Sequence, residues 1–341
     1  MIAPFPAMQP FGAALWQKAL RAMDVILHIG AHRCANTSFQ AYLRANTEPL
    51  ATAGIGFWGP IRTRSGLFRG IQPGPVIAPG RNARTRALGR VQLGCGEHAR
   101  DGVETLVVCD QYMLGSMRAN LRLADLYCGA GERMARFAEA FQGYLGGVVL
   151  TIRSPEHYWA SLLACYASNG RGTPPPGLLQ RVAESSRSWR DVITDIACAV
   201  PGIKVGVMPF ETFAGRPEAQ LQGITGQPAP RTASREWHNK APNLAALRAM
   251  MDPAEGVLPE GDGRWMPFCQ GQCATFRERY ADDLMWLAAG ADGLARLIGD
   301  PAPEKAGQNL PIPDMTRGRD DERRHIKVAR AGRKGTARQA G

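Results

Sequence analysis

The chain has 341 residues and a mass of 36.9 kDa, room for one large α/β domain or two modest ones. Its 45% hydrophobic and 21% charged residues exclude a wholly disordered chain, and its 39 glycines and 25 prolines follow no Gly-x-y period, which excludes a collagen-like one. The net charge of +11 is concentrated at the end: residues 316–341 hold nine Lys/Arg against Asp320, Asp321 and Glu322, so the rest of the chain lacks the basic stripe of a nucleic-acid-binding domain.

Residues 1–23 form an N-terminal extension in which no basic leader precedes the apolar stretch and prolines interrupt it, so no signal peptide is expected. Met23 stands directly before the first strand signal, DVILHIG at 24–30. A tight loop and the helix-like SFQAYLRANTEPL follow, the βα opening of a nucleotide-binding α/β sheet. GIGFWG at 54–59 reads as a second extended piece. Residues 60–103, rich in Gly, Pro and Arg, read as an irregular or lid-like insertion within the domain.

ETLVVCD at 104–110, GGVVLTI at 146–152 and IKVGVMPF at 203–210 are further buried strands. Helical patterns fill 114–126, 130–145, 155–168 and 176–199, the last with a break near 185–188. Beyond 242 the pattern is helical at 242–251, 274–289 and 290–298. The expectation is an α/β fold of three layers, P-loop-like, with a central mostly parallel sheet and a helical C-terminal part. It places one domain at 24–298 and a flexible basic tail at 316–341, free to contact an anionic surface. Eight scattered cysteines without a CxxC, and no apolar run of 18 residues, point to structural thiols in a cytoplasmic protein with no transmembrane segment and no metal.

Two stretches carry chemistry. In HIGAHRCANTSFQAYL, 28–43, a strand feeds a short loop whose N–H groups face the same way as a helix N-terminus, and Arg33, Asn36, Thr37 and Ser38 add donors. That is an anion cradle, although an ordinary βα loop with capping hydroxyls has the same residues. It is neither a Walker A loop nor a three-glycine dinucleotide fingerprint. In LTIRSPEHYWASLLACYAS, 150–168, Arg153 lies at the exit of a central strand and Ser161 two turns into the next helix. Arg153 is placed there to reach a second phosphate, or to cap a carboxylate.

These stretches resemble the paired donor-binding motifs of sulfotransferases that use 3′-phosphoadenosine 5′-phosphosulfate. HIGAHRCANTSFQ is similar to the HxGxxKTGTTSxQ opening of bacterial and carbohydrate-acting members, retaining His28, Gly30, Thr37, Ser38 and Gln40. Arg153, Pro155 and Ser161 resemble the second motif. Weaker likenesses run through VMPFETFAGRPEAQLQGITG, HNKAPNLAALR and RERYADDLMWL. The resemblance implies that Arg33, Cys34, Ala35, Asn36, Thr37 and Ser38 bind the 5′-phosphosulfate, and that Arg153 and Ser161 bind the 3′-phosphate. Arg33 replaces the family's lysine and Ala35 its glycine. It further implies transfer to a hydroxyl or amine acceptor, with saccharides among the classes expected, and without a metal.

The catalytic base expected from position is Asp110, at the end of its strand, with His32 as the alternative. As a strand-end Asp, Asp110 is equally suited to capping a helix. Arg62, Arg64 and His98 in the insertion are the candidate acceptor-binding residues. Two other readings stand beside this one: a non-catalytic 3′-phosphonucleotide-binding protein of the same fold, and a nucleotide-dependent phosphotransferase.

Overall fold

Alternation along the strands builds the layers. In the computed structural model, which describes residues 23–72, 81–252 and 256–301, DVILH forms β1 (Asp24–His28). Val25 and Leu27 enter one apolar core and Ile26 the other, on the opposite face. IGFW forms β2 (Ile55–Trp58), TLVVC β3 (Thr105–Cys109), LGGVVLTI β4 (Leu145–Ile152) and KVGVMP β5 (Lys204–Pro209). Leu106, Val108, Val148, Leu150, Val205 and Val207 join the core of Val25, while Val107, Cys109, Val149 and Met208 join that of Ile26. A two-residue β6 (Arg296–Leu297) completes a sheet of order β2-β3-β1-β4-β5-β6 in which every pairing is parallel. Strands buried on both faces need apolar residues at consecutive positions, which is why these runs stand out in the sequence.

Helices α1 (Asn36–Ala45) and α2 (Thr47–Thr52) follow β1, and the short α3 (Pro60–Arg62) follows β2. Next come α4 (Arg81–Arg100), α5 (Met117–Leu123) and α6 (Ala130–Ala140), and after β4 α7 (Pro155–Tyr166), α8 (Pro176–Glu184) and α9 (Trp189–Ala199). Then α10 (Phe210–Phe213) and α11 (Pro217–Thr225) lead to α12 (Leu244–Met250) and α13 (Gln270–Ala288). Phe39, Tyr42 and Leu43 of α1 and Leu221 and Ile224 of α11 cover one face of the sheet. Residues of α4, α6, α7, α9 and α13 cover the other. The α/β class, the parallel sheet and the helical C-terminal region are those expected.

Three local expectations fail. Residues 81–100 of the supposed irregular insertion are a 20-residue helix, α4. Its buried stripe is Ala87, Val91 and Cys95, small residues at helical spacing but interrupted by Gly89, Gly94 and Gly96, so the periodicity is faint. The second failure is 290–298, which forms no α-helix but a single 3-10 turn at Ala291–Gly293 followed by β6. Gly290, Ala291, Asp292 and Gly293 all take positive φ, a run that stops α13, and Ile298 N–H then donates to Val207 O at 2.8 Å beside β6. Third, helix over 114–126 is confined to α5, because Gly115 has φ 154°, Ser116 caps at Ala119 N (3.2 Å) and Ala124 is left-handed. The break expected near 185–188 is present between α8 and α9, where Ser188 and Asp191 form a capping box.

The described residues up to Pro301 belong to one compact unit. The extension before Met23 and the basic tail at 316–341 lie outside the described residues. Among the described residues no helix is long and apolar enough to cross a membrane, and the eight cysteines are free, with Cys34, Cys95, Cys109 and Cys273 buried.

Candidate functional site

The loop after β1 is shaped by one close approach and two left-handed residues. A Cβ at Gly30 would lie 2.2 Å from Asn36 Oδ1, so only glycine fits. Asn36 Nδ2 donates to Gly30 O (3.1 Å) and Ala31 O (2.7 Å), lashing the strand exit to the start of α1. Its donors therefore serve the loop and not a ligand. Arg33 and Ala35 have φ of 65° and 57°, so Ala35, which stands where the resembling motif has glycine, takes the left-handed backbone that favours glycine. No side chain caps α1, so its first N–H groups, which have no intrahelical acceptor, remain for an anion.

The other loop residues divide. Thr37 is half-buried. Ser38 Oγ accepts from His238 N at 2.8 Å, joining the loop to the segment before α12. Cys34 is buried, and that burial pushes its thiol up to about 12; it is an inert apolar contact at neutral pH.

The sheet order puts the exits of β1 and β4 side by side, with α1 on one face and α7 on the other. Such a divergence opens the crevice in which parallel α/β sheets bind ligands. Across it, Arg33 Nε donates to Ser161 Oγ at 3.0 Å, and Arg153 Nη1 donates to the Arg33 carbonyl at 2.8 Å. The two stretches singled out in the sequence are thereby one site. Arg33 Nη2 also donates to Asn239 O at 3.1 Å, closing the far wall.

Arg153 is the unusual group. It is 6% exposed, its Nε is buried without a hydrogen-bond partner, and its guanidinium lies 4.3 Å from the centre of the Phe210 ring. Burial lowers its pKa to about 10, and Arg264 and Arg33 press in the same direction, against the pull of Cys34 and Glu211. Glu211 is itself occupied, accepting from Ser154 N (2.9 Å) and the Tyr280 hydroxyl (2.8 Å). A buried guanidinium with neighbours of like charge is short of anionic partners. Of these, Phe210, Glu211 and Tyr280 fall in segments the sequence marked only as weak likenesses. Arg264, in contact with His157 Nδ1 at 3.3 Å, carried no signal beyond an Arg among glycines.

Beside this crevice, Asp110 is fully buried and fully engaged. Its Oδ2 accepts from Thr63 Oγ1 (2.6 Å) and Arg64 Nε (3.1 Å), its Oδ1 from Arg64 Nη2 (2.7 Å) and Tyr112 N (3.0 Å). Four donors fill the four lone-pair positions of a carboxylate. Arg64 also stacks on Tyr112 at 3.9 Å. Arg62 and His98 are instead gathered on Trp58: Arg62 lies 4.4 Å from its ring centre, and Trp58 Nε1 donates to His98 Nε2 at 3.1 Å. The acceptor-binding trio of the sequence analysis thus splits, with Arg64 alone at Asp110. Replacing Asp110 with alanine strands Thr63 and Tyr112 N–H while releasing the half-exposed Arg64 to water. Urea unfolding should therefore show a loss of about 2 kcal/mol.

His32 is 3% exposed, with both its backbone N and its Nδ1 2.8 Å from the Tyr127 hydroxyl, and burial holds its pKa down to about 3. His28 behaves as the packed residue its strand position suggests, touching Cys109 Sγ, Thr151 Oγ1 and Gln220 Nε2.

No protein-family model matches this chain, and no curated protein matches it at a stringent threshold.

Proposed function

We propose that this protein is a sulfotransferase, moving a sulfuryl group from 3′-phosphoadenosine 5′-phosphosulfate to a hydroxyl or amine acceptor, a saccharide being the class in view. The observation that carries this reading is the coupling of Arg33, Ser161 and Arg153 across one crevice, with Arg153 buried, unbonded at Nε and crowded by cations. Two anionic groups on one ligand match two cationic subsites, one at the α1 N-terminus and one at Arg153.

In the reaction the acceptor oxygen or nitrogen forms a bond to sulfur while the bond from sulfur to the bridging phosphate oxygen breaks, leaving its electron pair on the phosphate. The acceptor's proton passes to solvent. Arg33 and the uncapped N–H groups of α1 stabilise charge on the 5′ side, where fixed donors are worth most. Arg153 and Ser161 hold the 3′-phosphate and so set the reacting end in place. Asp110 is assigned to holding Arg64 toward the acceptor side.

A second reading has its own support. With Asp110 saturated by four donors, no carboxylate of the cluster is poised to take a proton, which favours a protein that binds the nucleotide without turning it over. Binding and turnover with the phosphosulfate donor, adenosine 3′,5′-bisphosphate and ATP separate the two. Tighter binding of the 3′-phosphorylated ligands together with a sulfated product from an alcohol, saccharide and amine panel is the expected result. Preference for ATP would defeat both readings, and binding without any product would leave the non-catalytic one.

A further inference from the structure

His32 sits at the end of a buried chain of hydrogen bonds whose protons can be counted. Tyr127 N–H, an unambiguous donor, points at Asn120 Oδ1 (3.2 Å) and so fixes the amide. Asn120 Nδ2 then donates to the Tyr158 hydroxyl at 2.7 Å. Tyr158 passes its own proton to the Tyr127 hydroxyl at 3.2 Å, and the backbone N–H of His32 donates to that same oxygen at 2.8 Å. A hydroxyl offers one donor and two acceptor positions. With both acceptor positions filled, the proton of Tyr127 goes to His32 Nδ1, 2.8 Å away.

The neutral ring must then carry its hydrogen on Nε2. The reverse order, with Nδ1–H donating to Tyr127 and Tyr127 to Tyr158, leaves two buried groups unmet, the Tyr158 proton and the Nε2 lone pair, whereas the first order leaves only the Nε2–H. Every member of the chain is buried, where an unmet donor is costly. Nε2 itself is buried and has no partner in the protein. The ring stands between Tyr127 (centroids 5.9 Å apart) and Tyr112 (5.6 Å), and the charges close enough to act on it are Asp110, Arg64, Arg33 and Arg133. Asp110 is saturated, and the other three are donors.

We propose that His32 is a fixed, uncharged hydrogen-bond donor, locked as the Nε2–H tautomer by the Asn120, Tyr158 and Tyr127 relay, and that it binds an oxygen of the anion held by the Arg33 loop. It is thus a ligand-binding donor and not the base. The identity of that anion rests on the proposed function; the tautomer does not. Tyr127 is a positioning residue that acts through the ring. An uncharged donor strengthens oxyanion binding without adding to the repulsion among the arginines, and it stays in the same protonation state across neutral pH.

The test is nitrogen NMR of the histidine rings in the full chain, first alone, then with inorganic sulfate, then with adenosine 3′,5′-bisphosphate. His32 should show an unprotonated Nδ1 and a protonated Nε2 that do not titrate between about pH 5 and 8. Its Nε2–H should shift and exchange more slowly when either anion saturates the protein. Tyr127→Phe should lose the single tautomer. For affinity, His32→Gln, whose amide N–H can stand near the former Nε2, should bind within about threefold of wild type, and His32→Leu about tenfold more weakly. An Nδ1–H tautomer, titration near the ordinary 6.5, or an Nε2–H signal unmoved by bound anion would overturn the proposal. Response to sulfate with indifference to the bisphosphate would uphold it while defeating the nucleotide reading.

Discussion

An Arg153→Ala variant is expected to bind adenosine 3′,5′-bisphosphate at least about 30-fold more weakly than wild type while unfolding at nearly the same denaturant concentration. The affinity loss is the usual result of removing one partner from a buried, hydrogen-bonded charge pair. Unchanged stability follows from the unliganded site. There Arg153 makes one hydrogen bond, to the Arg33 carbonyl, and a ring contact with Phe210, but leaves Nε unbonded in a buried position beside Arg264 and Arg33. Losing the bond and the packing costs about 1–2 kcal/mol. Removing a desolvated cation with like-charged neighbours returns a similar amount.

The same balance gives a cheaper measurement. Anions that settle on Arg153 should raise the melting temperature of the wild type by mass action and leave Arg153→Ala unmoved. If Arg153→Ala instead unfolds far more readily and binds the bisphosphate as before, the side chain is a structural strut and the anion site lies elsewhere. Lysine at this position is not a neutral exchange, because an ammonium cannot both donate to the Arg33 carbonyl and lie flat on Phe210.

The two halves of the site were legible in the sequence because each is local. His28 to Ser38 and Arg153 to Ser161 are both strand, loop and helix in a continuous run, and apolar strand residues mark where each loop must emerge. What joins them was legible only through resemblance, since neither stretch contains the other's bonding partner. The roles of Asp110 and His32 were hidden for the same reason. A strand-end carboxylate advertises an acid or base, but Arg64, Thr63 and Tyr112 decide whether its lone pairs are free. The tautomer of His32 depends on Tyr127, Asn120 and Tyr158, all on distant segments. In the fold, β6 escaped because two residues have no period, and its existence is set by the edge of β5.

Stability should fall steeply as the solution is acidified from about pH 6.5, before most carboxylates titrate. His28 and His32 are both held down to about 3 by burial. Around His28 the ring partners are Cys109 Sγ, Thr151 Oγ1 and Gln220 Nε2, all uncharged, so an imidazolium there would have no counter-ion. His32 does face Asp110, but that carboxylate is already paired with Arg64, and Arg33, Arg64 and Arg133 oppose a further positive charge. In the unfolded chain both rings protonate near the ordinary 6.5. Between that value and about 3 the unfolded state therefore binds protons that the folded state refuses, and stability is complete above pH 6.5 and lost progressively below it. Each ring approaches a slope of about 1.4 kcal/mol per pH unit only well below pH 6.5, so the pair should remove roughly 3 kcal/mol between pH 6.5 and 5. His98 and His157, lowered chiefly by burial and held less deeply, add to the slope in the same direction. Urea unfolding at closely spaced pH values measures it, and His32→Gln should reduce it by up to half. Stability that stays level between pH 7.5 and 5 would mean that His32 and His28 accept protons in the folded protein, and the Nε2–H donor would then carry a positive charge and Nδ1 would no longer accept from Tyr127.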